Sequence, residues 1–151
     1  MFWGCVSAHC KLPLIEIRGN LNSHRYVNEI LEASAIPHLD NHPLADRPIF
    51  QQDGATSHTA GISMDCLRQN AVDVLEWPAK SPDQSPIENI WDWIKRELNQ
   101  PNNVIADMAD LRVQINTAWN NIQQHRISAL ISSCKRRAQA LVTSRGDFTK
   151  Y

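Results

Sequence analysis

The stretch PIFQQDGATSH, residues 48–58, decides the fold class of this chain. Its apolar first half predicts a short buried strand that ends at Asp53, because Gly54 breaks the pattern. Apolar residues then recur at helical spacing over residues 58–70, which predicts a helix directly after the turn. A buried strand followed at once by a helix is typical of α/β proteins, in which helices cover a sheet.

The sequence on either side of this stretch predicts further elements of both kinds. Upstream, the pattern predicts two strands, a helix capped by Asn22 or Ser23, and a loop, at residues 2–7, 12–18, 24–35 and 36–47. Downstream, it predicts one strand and three amphipathic helices, at residues 72–75, 86–99, 106–124 and 126–143. The apolar stripes of these helices indicate core packing, and the whole set predicts a mixed sheet flanked by helices.

Composition and charge exclude several classes of protein. Apolar residues make up 42% of the 151 residues and charged residues 21%, which indicates a folded chain rather than a disordered one. No apolar run approaches the length of a membrane span and no signal peptide is present, so we expect an intracellular protein without a membrane partner. Four cysteines without a C-x-x-C pair indicate free thiols rather than a zinc site.

Positive charge is concentrated near the C-terminal end, although the net charge of the chain is only -1. Residues 126–151 contain six Lys or Arg and one acid. Within this segment Lys135, Arg136 and Arg137 are candidate contacts to nucleic-acid phosphates. A solvated helix face without any ligand explains the same charges, and charge alone favours that simpler interpretation.

Asp53 is the first of two carboxylates at positions suited to metal binding. It follows a buried strand, and ligands of open α/β sheets bind at the carboxyl ends of strands. However, Asp-Gly is also a common turn pair, because aspartate tolerates turn geometry well. Its position alone therefore leaves a catalytic and a purely structural interpretation open.

Glu88 is the second such carboxylate and lies three residues into a predicted helix. Ser85, Pro86 and Glu88 fit a capping box, in which the carboxylate bonds the Ser85 amide. Alternatively, the helix dipole keeps Glu88 ionised as a ligand for a hard divalent cation. Asp92, four residues further on the same face, is a weaker candidate for a ligand or for a residue supporting one. Two such acids suit phosphoryl transfer assisted by Mg²⁺ or Mn²⁺.

The residues around both acids resemble motifs of Tc/mariner-type DNA transposases. QQDGATSH, residues 51–58, resembles the second-aspartate motif, and LEWPAKSPDQSPIENIW, residues 75–91, resembles the third-acid motif. Thirty-four residues lie between Asp53 and Glu88, the spacing of the Tc branch, whose third acid is glutamate. The N-terminal FWGC and the C-terminal segment 134–151 also resemble the family, so the resemblance spans nearly the whole chain.

This resemblance implies a fold and a set of site residues. The fold is an RNase H-like mixed sheet flanked by helices and incomplete at its N-terminal strand, which makes residues 1–151 a D-D-E catalytic domain truncated at the N-terminus. Asp53 and Glu88 are then the catalytic acids that bind Mg²⁺ or Mn²⁺. His58 and Asp92 are candidates for residues beside them that support the ligands, and a histidine without any role at a helix start is the equal alternative for His58.

The resemblance also implies a nuclear protein that acts on DNA. The family cuts DNA at transposon ends and joins the 3′-hydroxyl to target DNA, and a homo-oligomer or a full-length transposase is the expected protein partner. The family's first aspartate and its helix-turn-helix domains have no counterpart in these residues, so we expect the chain alone to lack strand cleavage. The alternatives are a catalytically inactive remnant that binds DNA or a transposase, and a decayed fragment without a function.

Overall fold

The computed structural model describes residues 1–41, 48–78 and 81–145, and the helices and strands below refer to these ranges. The chain forms two compact units. The first comprises Met1–Trp3 and Ile15–Ser81, and the second comprises Gly4–Leu14 and Pro82–Tyr151.

The first unit begins with a short antiparallel pair of strands. Strand β1 (Phe2–Trp3) pairs with strand β2 (Ile15–Glu16), so that Phe2 lies opposite Glu16 and Trp3 opposite Ile15. The N-terminal ammonium group extends the pairing by donating to the carbonyl of Ile17 at 3.2 Å. The predicted pair of strands at the N-terminus is thus confirmed, although both strands are shorter than predicted.

One long helical stretch follows, composed of α1 (Ser23–Arg25), a π-helical segment (Tyr26–Ala35) and α2 (Ile36–Asp40). The side chain of Asn22 caps its start by accepting from the Arg25 amide at 2.9 Å, as predicted. The expected loop at residues 36–47 is wrong for 36–40, which are helical, and residues 42–47 lie outside the described part of the chain. Pro37, which has no amide N–H to donate, lies at the junction between the π-helical segment and α2.

The strand expected at residues 48–52 is reduced to a single bridged residue. Phe50 forms an isolated parallel bridge with Val74, through hydrogen bonds to Asp73 and from Leu75 of 2.7 and 2.8 Å. In the described residues the only sheet is the two-stranded β1–β2 pair, so the predicted continuous mixed sheet is not formed there. The antiparallel pair and the parallel bridge nevertheless have the two strand directions that a mixed sheet requires.

Two helices replace the single one predicted at residues 58–70, namely α3 (Thr56–Thr59) and α4 (Gly61–Gln69). They are separated because Ala60 has extended backbone, with ψ of 146°. The buried core of the unit comes from the long helical stretch, from α4 and from the strands, and includes Ile17, Tyr26, Ile30, Leu31 and Leu67. Both helices therefore lie directly after the turn that carries Asp53.

The second unit is predominantly helical. After a 3₁₀ turn (Pro82–Gln84), it contains α5 (Pro86–Leu98), α6 (Met108–Asn121), α7 (Gln124–Ser132) and α8 (Cys134–Thr143). The helices predicted at 86–99 and 106–124 are confirmed, whereas the one predicted at 126–143 divides into two at Ser133. No helix in the described ranges is long and apolar enough to cross a membrane.

Trp119 is the largest side chain in the core of the second unit and is 1% exposed. Its indole nitrogen donates to the carbonyl of Leu12 at 2.9 Å, and its ring stacks on Trp91 with centroids 5.7 Å apart. The ammonium group of Lys11 donates to three carbonyls at the C-terminal end of α6, those of Trp119, Asn120 and Ile122. The segment Gly4–Leu14 therefore contacts α6 at several points. The predicted core role of the apolar stripes is confirmed for α5, α6 and α7, whereas α8 contributes no residue to this core cluster and Met108, at the start of α6, is 62% exposed.

Candidate functional site

Asp53 lies in the turn between the Phe50 bridge and α3, with its side chain 67% exposed. Its Oδ1 accepts from the Ala55 amide at 3.1 Å and contacts His58 Nδ1 at 2.6 Å. No hydrogen bond reaches its other oxygen, Oδ2, from the described residues. The structural and the catalytic interpretations are therefore compatible, because one oxygen holds the turn while the other faces solvent.

His58 lies in α3 and is the immediate neighbour of the Asp53 carboxylate. An ionised carboxylate only accepts hydrogen bonds, so Nδ1 of His58 carries the proton in this contact. The imidazole is only 16% exposed, since its other side packs on Tyr26 with ring centroids 4.3 Å apart and planes inclined by 36°. The structure thus brings His58 to Asp53, as the sequence motif suggests.

Two residues beside Asp53 are not predicted as site residues by the sequence. The hydroxyl of Tyr26 donates to Oε1 of Gln52 at 2.8 Å, and Nε2 of Gln52 donates to the carbonyl of His58 at 3.2 Å. From the sequence, Tyr26 is predicted only as an apolar position on a helix, because the neighbouring residues do not indicate that its partner Gln52 lies 26 positions further along the chain. The position of Gln52 within the QQD motif is the only sequence signal that points to it.

Glu88 is exposed at the third position of α5, after Ser85 and Pro86. The capping box is not formed, since the Ser85 amide donates instead to the carbonyl of Pro82 at 2.9 Å and the Ser85 side chain makes no capping bond. Within the described residues the Glu88 carboxylate has no hydrogen-bond partner or ion pair. The structural explanation for this glutamate therefore fails, and its carboxylate stays available at the positive end of a helix dipole.

Asp92 is engaged on its own helix. Its Oδ2 lies 2.5 Å from the guanidinium of Arg96, in an ion pair between residues four apart on the surface of α5. The side chain of Asp92 is 48% exposed. A surface pair of this kind contributes little to stability, and it engages one of the two carboxylate oxygens of Asp92.

The three cationic residues of the C-terminal segment separate into two groups. Arg137 is 5% exposed, and its guanidinium donates to the carbonyls of Asp83 at 3.0 Å and Gln84 at 3.2 Å. It therefore joins α8 to the 3₁₀ turn before α5 and does not present its charge to a phosphate, in contrast to the expectation from sequence. Lys135 and Arg136 are exposed on α8.

The two acids supply carboxylate oxygens, which hard divalent cations such as Mg²⁺ and Mn²⁺ prefer. Asp53 belongs to the first unit and Glu88 to the second. Within residues 1–41, 48–78 and 81–145, no group of three or more His, Cys, Asp or Glu side chains is arranged to hold a metal ion. The oxygen donors of Asp53 and Glu88 fit such a cation. The described residues, however, bring fewer than three such side chains together.

A sequence model of the family described as DDE superfamily endonuclease matches residues 2–112. The Tcb1 transposase of Caenorhabditis briggsae is 35% identical over all of this chain and 54% of its own length. The Tc1 and Tc3 transposases of Caenorhabditis elegans are 34% and 30% identical, again over all of this chain, and over 54% and 45% of their own lengths. The chain thus spans about half the length of the curated relatives it matches.

Solved structures show the same fold. The catalytic domain of Mos1 mariner transposase superposes with a TM-score of 0.74 at 20% identity, over 94% of this chain and 70% of that chain. The same domain solved with raltegravir and Mg also gives 0.74, at 19% identity, over 94% of this chain and 71% of that chain. A third structure, of the same domain with raltegravir and Mn, gives a TM-score of 0.74 at 19% identity, over 94% of this chain and 72% of that chain. At such low identity the likeness concerns the fold alone.

Proposed function

Because the chain belongs to the DDE superfamily endonuclease family, in its Tc/mariner branch, we propose that it supplies Asp53 and Glu88 as metal ligands for DNA transposition. The observation that carries the proposal is the difference between the two carboxylate oxygens of Asp53. Its Oδ1 is held by His58 and by the turn, while Oδ2 has no hydrogen-bond partner in the described part of the chain. A carboxylate fixed through one oxygen is oriented to bind a cation through the other.

The metal in this proposal is Mg²⁺ or Mn²⁺, held by Asp53 and Glu88. When bound, it would supply activation of a water or a 3′-hydroxyl and stabilisation of the leaving oxygen in phosphoryl transfer. Support comes from the oxygen donors of both residues, from the position of Glu88 at a helix N-terminus, and from Mos1 structures that contain Mg or Mn. The antiparallel strand pair and the parallel bridge are then parts of an RNase H-like sheet with helices around it.

The substrate in this proposal is DNA, cut at transposon ends and joined to target DNA in the nucleus, with a second copy or a full-length transposase as protein partner. Its support is the transposase family of the relatives. Only two of the three acids of a D-D-E site have counterparts in these 151 residues. We therefore expect no strand cleavage by the 151-residue chain alone, and Mg²⁺-dependent nicking of a transposon-end duplex that Asp53→Ala abolishes would contradict this expectation.

The test of the metal site is a titration of the 151-residue chain with Mn²⁺, in which binding is measured as the loss of the EPR signal of free Mn²⁺. Loss of one carboxylate ligand, in Asp53→Asn or Glu88→Gln, is expected to weaken the Mn²⁺ affinity about tenfold or more. Asp65→Asn is the matched control, because Asp65 is an exposed acid in the same unit as Asp53. Its carboxylate pairs with Arg68. Equal weakening in all three variants, or none in Asp53→Asn, contradicts the proposal.

A second candidate function is DNA binding without chemistry, as in a remnant that attaches to DNA or to a transposase. Two observations favour it: the described residues contain no group of three metal-ligating side chains, and Lys135 and Arg136 are exposed on α8. Exposed cations bind phosphates regardless of base sequence and release counterions as they do so. This candidate therefore requires salt-dependent DNA binding that weakens when both residues are neutralised.

A further inference from the structure

Tyr26 is fully buried and begins the π-helical segment, and its contacts include a hydrogen bond to Gln52 and a ring contact with His58, both of which lead toward Asp53. We propose that Tyr26 is a positioning residue, which acts through His58 and Gln52 to hold the Asp53 carboxylate with Oδ1 engaged and Oδ2 exposed. The inference deepens the proposed function and rests on it, since it concerns the orientation of a residue assigned there as a metal ligand.

The first path from Tyr26 runs through the ring of His58. The two ring centroids are 4.3 Å apart, and Nδ1 on the other side of the imidazole lies 2.6 Å from Oδ1 of Asp53. The imidazole is therefore held between an aromatic ring and a carboxylate. This contact restricts the rotation of the imidazole and with it the direction of the Nδ1–H bond.

The second path runs through the side-chain amide of Gln52, the residue before Asp53. Because the Tyr26 hydroxyl donates to Oε1 at 2.8 Å, the amide is oriented with Nε2 toward the carbonyl of His58, at 3.2 Å. This bond fixes the backbone of the four-residue helix α3 next to the strand end that carries Asp53. Tyr26 thus constrains His58 at its ring and at its carbonyl.

A role in core filling does not account for the hydroxyl of Tyr26. A phenylalanine fills nearly the same volume, and a buried hydroxyl is costly unless it is hydrogen-bonded. Here the bond goes to Gln52, whose neighbour in the sequence is a carboxylate that is 67% exposed. An exposed side chain samples several rotamers, so contacts that reach it from a buried residue are a means of fixing one of them.

The experiment reads the ring nitrogens of His58 by NMR in the 151-residue chain without metal, with His58→Gln used to assign its signals among six histidines. The unaltered chain is expected to show a single tautomer with the proton on Nδ1. Tyr26→Phe keeps the ring and loses the hydroxyl, so a minor second tautomer is expected. Tyr26→Leu loses both contacts and is expected to show a mixture of tautomers.

A second readout is the Mn²⁺ affinity of the same variants, which Tyr26→Leu is expected to weaken about tenfold. Leu31→Val is the control for lost volume, because Leu31 is equally buried in the same segment but has no polar group to bond Gln52. It is expected to lower the thermal midpoint while leaving the His58 tautomer and the Mn²⁺ affinity unchanged.

An unchanged His58 tautomer in both Tyr26 variants overturns the inference, provided that they melt cooperatively. If Tyr26→Leu does not melt cooperatively, Tyr26→Phe decides alone, and signals identical to those of the unaltered chain overturn the inference. Failure of the proposed function is distinguishable, since it appears as an Mn²⁺ affinity that Asp53→Asn leaves unchanged. The tautomer measurement requires no metal and still judges the role of Tyr26 in that case.

Discussion

Gly4 lies where the backbone passes closest to the ring of Trp119. A Cβ atom at this position would be 2.8 Å from the indole, closer than real Cβ atoms come to other atoms, and 3.0 Å from the Leu14 side chain, which is a tight contact. We expect Gly4→Ala to lower the free energy of unfolding by about 1–3 kcal/mol, because overpacking forces a buried tryptophan to move. Urea denaturation followed by circular dichroism measures this change.

The matched control for this prediction is Gly61→Ala, since nothing lies within 4 Å of a Cβ atom at Gly61. Gly61 begins α4, where alanine is tolerated well, so its replacement is expected to leave the unfolding free energy unchanged or to raise it slightly. Equal destabilisation by both substitutions contradicts the packing argument.

Arg137 makes a second prediction at the scale of a single residue. Its planar guanidinium donates to two carbonyls of the 3₁₀ turn from two separate nitrogens, Nη1 and Nη2, whereas a lysine has all its donors on one nitrogen and does not match this fixed fork. We expect Arg137→Lys to lower the free energy of unfolding by about 2 kcal/mol, because a part-buried carbonyl loses its donor. Arg136→Lys, on the exposed side of α8, is the control and is expected to change stability by less than about 0.5 kcal/mol.

Single residues also show how far the sequence predicts the site. His58 lies five positions after Asp53 and contacts it across one turn, while its role in supporting a metal ligand stays a prediction. Tyr26 was not predicted, since a buried tyrosine at helical spacing indicates only core packing. The capping box of Glu88 was wrong because the Ser85 amide is taken by the carbonyl of Pro82, and the local pattern did not reveal that 3₁₀ turn.

At the scale of elements, the start of α6 is stabilised by carboxylates. Asp107 caps it with bonds from the amides of Ala109 and Asp110, both at 2.8 Å. Asp110 accepts from the Ala106 amide at 3.0 Å and from Gln114 at 2.9 Å, and these bonds lower the pKa of its carboxyl group below the usual value. The helix N-terminus is thus fixed by two aspartates, as the macrodipole favours.

A pH dependence follows from the lowered pKa of Asp110. Its stabilising contribution is fully present above the pKa of the unfolded chain, about 4, and is lost as pH falls through the lower folded value. We expect Asp110→Asn to lower the thermal midpoint at pH 7, and the difference from the unaltered chain to shrink below pH 4 or so. Glu97→Gln, an exposed acid on α5, is the control, and a difference for Asp110→Asn that is constant with pH contradicts the argument.

Helices were predicted more accurately than strands for a physical reason. The apolar stripes of α5 and α6 recur over three or more turns, and the backbone hydrogen bonds of a helix join residues close in sequence, so the local pattern reveals it. Strands require partners that are distant in sequence, so the apolar runs around Phe50 and Val74 yielded one bridge where longer strands were expected. The break between α7 and α8 at Ser133 was missed because the apolar stripe continues across it.

For the molecule as a whole, charge limits how the proposed DNA partner would be held. The net charge is -1, so such an attraction would depend on local groups of cations rather than on the total charge. Of the three candidate cations in the C-terminal segment, Lys135 and Arg136 are exposed on α8, whereas Arg137 is buried.

We expect the double variant Lys135→Gln/Arg136→Gln to bind duplex DNA more weakly and with a smaller salt dependence. If each residue contacts one phosphate, the slope of log affinity against log salt falls by about 1.8. Fluorescence anisotropy over a series of salt concentrations measures this slope. Arg18→Gln/Lys95→Gln removes the same charge from other exposed positions, and an equal effect in this control contradicts a specific role for α8.

The stacked pair Trp91 and Trp119 has an optical consequence. Indole rings 5.7 Å apart and inclined by 27° couple their electronic transitions, and a rigid chiral environment turns such coupling into near-ultraviolet circular dichroism. Trp93, which lies under the guanidinium of Arg126 at 4.5 Å, adds a third indole in a fixed environment nearby. The second unit therefore contains its own spectroscopic label, whose signal records side-chain order in that core without any attached dye.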